Sequence, residues 1–336
     1  NKVVRLLHNR AKVNPKRIVF AEAELLDVMK AAQIVHDEGI GIPILLGNKE
    51  TIENLKAELE FDAEVPIIDP RSDEFSEMRT QYALKLWELR KRKGETKYSA
   101  RVNMGKRNYF GAMMLNEGEA DALITGYTRN YASVVKPMLE LIGPADGVTR
   151  VAASNLMLTK RGPIFLADTT INENPTAEHL AKISQLTASL AKIFHIQPNI
   201  AMLSYSNFGA SNDENATKIA KAIKYIHKEY PNVVIDGEIQ ADFALNPEML
   251  KKEFPFSKLV DKKVNVLIFP NLDSANITYK LMKELYNAES IGPIMLGLKK
   301  PAHIIQLGAS VDEMVNMAAV AVIDAQESEK RKKNKG

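Results

Sequence analysis

Four short segments concentrate the side chains that could do chemistry. Leu203 to Ser211 (Leu-Ser-Tyr-Ser-Asn-Phe-Gly-Ala-Ser) leaves an apolar run, becomes a hydroxyl-rich loop and meets a helix opening near Asp213. Backbone amides at such a helix start, serine hydroxyls and Gly209 for close approach suit phosphate or carboxylate oxygens, with Ser206 and Asn207 at the tip. The same residues also suit a plain N-capping loop. Asp236, Glu238, Gln240 and Asp242 alternate, so an extended chain puts them on one face. They could gather a metal ion there or line a solvated strand edge. Phe269 to Lys280 passes through Pro270 into a polar turn and a helix with Asn276 and Lys280 four residues apart on one face. Thr125 to Asn130 repeats the order of apolar run, glycine and polar turn, with Thr128 and Arg129, whose guanidinium can grip a phosphate through two hydrogen bonds. Four polar loops at the ends of apolar runs point to a phosphate-rich ligand in a crevice.

Other chemistries are poorly represented. Gly39-Ile40-Gly41 lacks a third glycine and follows a helical pattern, so it is no dinucleotide turn, and no Gly-Lys-Ser or Gly-Lys-Thr cradle occurs. The six histidines are scattered; His36, His179 and His227 fall in amphipathic helices, and only His303, near the end of a strand-like run, is a candidate for more. Cysteine is absent, which removes disulfides and thiolate catalysis and fits a reducing cytosol.

The segments that must position these loops alternate in type. Apolar runs at 18–21, 44–46, 65–68 and 120–125 alternate with helical spacing at 27–36, 50–59, 74–92, 98–115 and 131–141. Ile142-Gly143-Pro144-Ala145-Asp146-Gly147 is the strongest break. Strand candidates then fall at 152–158, 164–167, 199–203, 233–237, 264–268 and 294–296, and helices at 177–194, 213–229, 274–285 and 311–325. This alternation predicts an α/β protein of two doubly wound domains with a ligand cleft between them.

The 336 residues carry a net charge of +3, and the eight residues from Glu329 to Gly336 hold five cations against one anion. The body is therefore near neutral, which argues against nucleic acid as a partner, and the tail reads as a frayed, solvated end. The longest apolar stretch, Met317 to Ile323, is seven residues, against the ~18 of a membrane span. A cytoplasmic protein with no membrane partner is expected.

Read together, these segments resemble the phosphate acetyltransferase family. The resemblance rests on Ser204-Tyr205-Ser206, Asp236 to Gln240, Asn265 to Asp273, Tyr109 to Met114, Ala167 to Glu178 and Ile291 to Ile294, in order over nearly the whole chain. The family joins acetyl groups to phosphate or coenzyme A. The resemblance implies a first domain at 1–145 rejoined by a C-terminal helix at 304–330, a second at 146–303, and a basic tail at 331–336. It also implies acetyl-CoA or coenzyme A as ligand, with Ser206, Asn207, Gly209, Asn276, Lys280, Thr128, Arg129 and Lys136 as contacts.

The departures bear on function. Where the family has Pro-x-Asn-Asp-Leu-Ser-Arg-Gly, this chain has Pro301-Ala302-His303-Ile304-Ile305-Gln306-Leu307-Gly308. Gln306 stands for the catalytic serine, Leu307 for the arginine and Glu313 for an aspartate; Phe208 stands for a polar or basic residue. Leucine cannot stabilise developing oxyanion charge, a loss of about 3 kcal/mol per donor, so no catalytic residue is assigned. This combination is similar to the C-terminal domain of hybrid NADP-dependent malic enzymes. That likeness implies an acetyl-CoA-sensing, oligomerising domain (at least a dimer) that continues a longer polypeptide, consistent with Asn1 as first residue. It places NADP and Mg or Mn with an N-terminal malic enzyme domain. A stand-alone, divergent phosphate acetyltransferase is the alternative.

Overall fold

The computed structural model describes residues 2–128, 130–286 and 288–333, save the side chains of Ala132 and Lys332. In chain order its elements are α1 (Lys2–Val13), β1 (Arg17–Phe20), α2 (Leu26–Asp37), β2 (Ile42–Leu46), α3 (Lys49–Glu58), β3 (Ile67–Ile68), α4 (Ser76–Arg90), α5 (Lys97–Met104), α6 (Arg107–Glu117), β4 (Ala122–Thr125) and α7 (Tyr131–Pro137). There follow β5 (Ala152–Thr159), β6 (Gly162–Ala167), α8 (Ala177–Ile193), β7 (Asn199–Leu203), α9 (Glu214–Glu229), β8 (Val234–Ile239), α10 (Ala241–Leu245), α11 (Pro247–Glu253), β9 (Val266–Ile268), α12 (Leu272–Tyr286) and β10 (Glu289–Leu296). The chain closes with β11 (Ala302–Ile304) and α13 (Val311–Lys333).

Two units result, one from residues 1–147 and 298–336, the other from 148–297. The first holds a parallel sheet in the order β11-β4-β1-β2-β3. Its central strands are short and apolar apart from Arg17 at the start of β1 and Thr125 at the end of β4, as strands covered on both faces tend to be: all four β4 residues and Ile18, Val19 and Phe20 of β1 are buried. The second unit holds β10-β5-β6-β9-β7-β8. There β6, β9, β7 and β8 are parallel, while β10 and β5 add an antiparallel edge. The α/β class expected from the alternation of runs stands, with two parallel-dominated sheets.

Several boundaries differ from expectation. The helical run at 98–115 is two helices, because Gly105 ends α5 and the chain turns before α6. The helix at 131–141 is α-helical only to Pro137, then widens to a π turn over Met138–Ile142. The second domain was expected to run to residue 303; instead β11 pairs with β4 (His303 beside Ile124), so the chain is back in the first unit from Leu298. The expected frayed tail is helical to Lys333, because Glu327 bonds Arg10 at 2.5 Å and Glu329 engages Lys16 and Lys333. Lys16 and Lys333 hold the Glu329 carboxyl down at about 2, with Lys16 the largest influence. No described helix is long and apolar enough to cross a membrane.

Candidate functional site

In the second unit, the loops that follow β6, β9, β7 and β8 lie side by side along the carboxyl edge of the sheet, where open α/β sheets take ligands. Backbone bonds stitch them together: Leu272 N donates to Glu173 O at 3.0 Å, Ser204 N to Ile239 O at 3.0 Å, and Phe208 N to Glu238 O at 2.8 Å. The Glu238 side chain, 2% exposed, accepts from Gly209 N at 2.5 Å and from Ser206 Oγ at 3.4 Å. Gly209 has φ +87°, which glycine adopts freely. Asn207 Oδ1 accepts from Gln240 N at 2.8 Å. The sequence-expected trio Ser206, Asn207 and Gly209 is thus brought together, tied to β8 and the residue after it.

The helix-start reading of this loop is not what forms. Asp213 caps α9 with its own carboxylate, which accepts from Asn215 N at 3.0 Å and Ala216 N at 3.3 Å, so an internal anion already sits on those amides. The shared face of Asp236, Glu238, Gln240 and Asp242 is also absent. The register of β7 and β8 shifts between Met202 and Leu203, so the alternation breaks at Glu238. Asp236 instead accepts from Ser257 Oγ at 2.9 Å and Lys258 N at 2.8 Å. No group of three potential ligands converges for a metal ion among the described residues.

Beside this loop, Asp168 (3% exposed) accepts from the amides of Thr170, Ile171 and Asn172 at 2.9–3.0 Å and from Asn172 Nδ2 at 2.5 Å. Burial pushes its carboxyl up and these donors pull it back, burial prevailing. Asn276 Nδ2 on α12 donates to Thr169 O at 3.0 Å, while Lys280 is exposed with Nζ 5.3 Å from the Tyr279 ring centroid. Sequence reasoning missed Lys218, which reaches across from α9 to Asn174 Oδ1 at 2.8 Å; burial lowers its ammonium below the ordinary lysine range. Its signal was a lysine one turn into the helix that follows the serine loop.

In the first unit, β4 and β11 end together, with Ile305 N donating to Thr125 O at 2.9 Å. The turn after β4 closes on Glu22, 4% exposed, whose carboxylate accepts from Gly126 N at 2.8 Å, Tyr127 N at 2.9 Å, Thr128 N at 3.2 Å and Thr128 Oγ1 at 2.8 Å. The amides and hydroxyl expected to meet a ligand therefore hold an internal carboxylate. Arg129 lies outside the described residues; Lys136, on α7, is exposed. Gln306 and Leu307 form the turn after β11, Leu307 79% exposed. Glu313 closes a reciprocal cap on α13: Ser310 N donates to Glu313 Oε2 at 2.9 Å and Glu313 N to Ser310 Oγ at 3.2 Å. His303, 1% exposed, is a core residue with Nε2 3.2 Å from Asp324 Oδ2.

The sequence model of the "Phosphate acetyl/butaryl transferase" family matches residues 2–322. The chain is 34% identical over 336 residues to the NADP-dependent malic enzyme of Salmonella typhimurium, covering 97% of this chain but 43% of that protein. It is 36% identical over 324 residues to the phosphate acetyltransferase of Acetivibrio thermocellus, covering 94% of this chain and 96% of that one. Among solved structures, a phosphotransacetylase from Streptococcus pyogenes superposes with a TM-score of 0.89 at 33% identity, over 97% of this chain and 98% of that chain. The chain thus spans less than half the length of that malic enzyme and nearly all of the Acetivibrio thermocellus transferase.

Proposed function

Because the chain belongs to the phosphate acetyl/butaryl transferase family, we propose that it binds acetyl-CoA as an effector and does not transfer the acetyl group. One observation carries this reading. The turn after β11 presents Gln306 and the exposed side chain of Leu307 where the family likeness calls for a hydroxyl and a guanidinium. Gln306 has no hydroxyl to donate a proton to a leaving group, and Leu307 has no donor with which to stabilise an oxyanion. Glu313, at the aspartate position, is engaged in capping α13. Ser206, Asn207, Gly209, Asn276 and Lys280 of the second unit, with Arg129 and Lys136 of the first, are the acetyl-CoA contacts in this proposal; Thr128, whose amide and hydroxyl are given to Glu22, fixes the turn that precedes Arg129. The chain would serve as the regulatory and oligomerising domain of a longer malic enzyme that converts malate to pyruvate, with NADP and Mg or Mn held by the part outside this chain.

Two assays test it. An acetyl-phosphate-forming assay should give no turnover; rates of about 1–1000 per second, usual for enzymes, would make the chain a stand-alone transferase instead. Calorimetry should show acetyl-CoA binding, weakened about tenfold or more in Arg129→Ala by the loss of a charge-assisted contact. Lys330→Ala should be nearly silent, since an exposed cation is screened within ~8–10 Å. The reverse order of effects would assign binding to the C-terminal end of α13.

A further inference from the structure

A polar cavity of about 190 Å³ opens at the carboxyl ends of β1, β2 and β3, wholly within the first unit. Its wall carries three cations, Arg71, Lys106 and Arg107, and two carboxylates, Glu24 and Asp69. Both carboxylates are already engaged. Glu24 takes Arg107 Nη1 at 2.6 Å and the Asn48 amide, and Asp69 Oδ1 takes Arg71 N at 3.0 Å. Arg71 and Lys106 are bound instead to neutral acceptors: Arg71 Nε to Gly105 O at 3.2 Å, and Lys106 Nζ to Asn103 Oδ1 at 2.7 Å. Among the described residues neither forms an ion pair.

The wall is shaped for this arrangement. Gly47 has φ +150°, and a Cβ there would stand 2.7 Å from Glu24 Cγ, so only glycine lets Glu24 cross the floor to Arg107. Helix α6, 11 residues long, starts in the same wall; its N-cap Lys106 makes no side-chain cap, and Asn108 Oδ1 takes only the Tyr109 amide, at 3.0 Å. The segment that leads into this wall is rich in cations, with nine Lys and Arg against two Glu over residues 84–107, of which Lys85, Arg90, Lys91 and Arg107 are matched by Glu117, Glu140, Glu88 and Glu24. Two cations matched only by neutral acceptors, facing one small cavity, attract a small dianion. A polymer does not fit: the space is small, and Glu24 and Asp69 would repel a continuous chain of phosphates.

We propose that this cavity is a second anion site, binding a phosphoryl group of a phosphomonoester or pyrophosphate independently of acetyl-CoA, between Arg71 and Lys106. It stands apart from the acetyl-CoA reading above. The test titrates the full chain with inorganic pyrophosphate, and separately with acetyl-CoA, by calorimetry and by amide chemical shifts. Saturable pyrophosphate binding is expected, with the largest shifts at Gly47, Asn48, Gly105 and Arg107. The double variant Arg71→Gln/Lys106→Gln, both at exposed or half-exposed positions, should melt like the parent and lose pyrophosphate affinity about tenfold or more. Its acetyl-CoA affinity should equal the parent's. No saturable pyrophosphate binding by the parent, or undiminished binding by the double variant, overturns the site. Equal loss of both ligands overturns its independence, because the cavity would then receive a phosphate of acetyl-CoA. Absence of acetyl-CoA binding by the parent would sink the effector reading alone and leave the pyrophosphate arm standing.

Discussion

Glu22, Asp168 and Glu238 share one task. Each is a nearly buried carboxylate that collects amide hydrogens from a loop at a strand end. Leaving such donors unsatisfied is costly, so Glu22→Ala should lower stability by roughly 2–3 kcal/mol, read from denaturant melts. A loss under about 0.5 kcal/mol would mean that water replaces the carboxylate there. Asp121 predicts a pH dependence. Burial pushes its carboxyl up, but Arg17, with its guanidinium and amide at 2.9–3.1 Å, holds it below the ordinary range. A depressed folded value stabilises above the unfolded pKa of about 3.9 and is lost as pH falls through the folded value. The stability gap between parent and Asp121→Asn should therefore be full near pH 6 and narrow below about pH 4. Little of this was legible in the sequence. Ala21-Glu22-Ala23-Glu24 offers two glutamates of equal standing; one is buried on a turn about a hundred residues away and the other pairs with Arg107.

At the scale of elements, buried strands were readable because parallel strands covered on both faces are apolar runs, as at Ile18 to Phe20 and Ala122 to Thr125. The loops that follow them were readable too, since a polar loop after such a run has a distinctive composition. What each loop bonds to was not, because the partners come from distant residues. Helix α1 escaped notice: Lys2–Val13 carries five basic residues and only Leu7 and Ala11 are buried. It is held by α13, with His8 Nε2 2.8 Å from Asn316 Oδ1 and Gln326 Nε2 donating to Ala11 O at 3.1 Å and Asn14 O at 2.9 Å. Gln326→Leu removes both donations, leaving Ala11 O with only the Asn14 amide at 3.3 Å, each lost bond worth about 1 kcal/mol. Amide exchange in residues 2–13 should accelerate several-fold while β1 stays protected; unchanged exchange would show that the apolar contacts suffice.

For the whole molecule, connectivity sets the terms. The second unit is one continuous segment, 148–297, whose sheet is complete in itself. The first needs β11 and α13 from beyond residue 297, including Met314, Ala318, Ala321 and Val322, all fully buried. Residues 148–297 expressed alone should therefore melt cooperatively, whereas 1–147 alone should give a broad, non-cooperative transition with exposed apolar surface. A sharp melt for 1–147 would show that its core closes without α13. The interruption at Ile142 to Gly147 was visible in the sequence; the return was expected only from 304 rather than Leu298, because Ala302–Ile304 is a three-residue strand too short to stand out after Gly297 and Pro301.

That interruption has a consequence on the ribosome. When β4 emerges it lacks the neighbour that will cover one of its edges, because β11 is translated only after 176 intervening residues. At about 5–20 residues per second, the bare apolar edge waits roughly ten to thirty-five seconds. Unpaired strand edges of this kind recruit other strands. The second unit completes its own sheet during that wait, and the first closes last. Nascent chains stalled between residues 150 and 297 should therefore be the aggregation-prone species of this protein's biosynthesis and the ones that engage chaperones, and release past α13 should end that engagement.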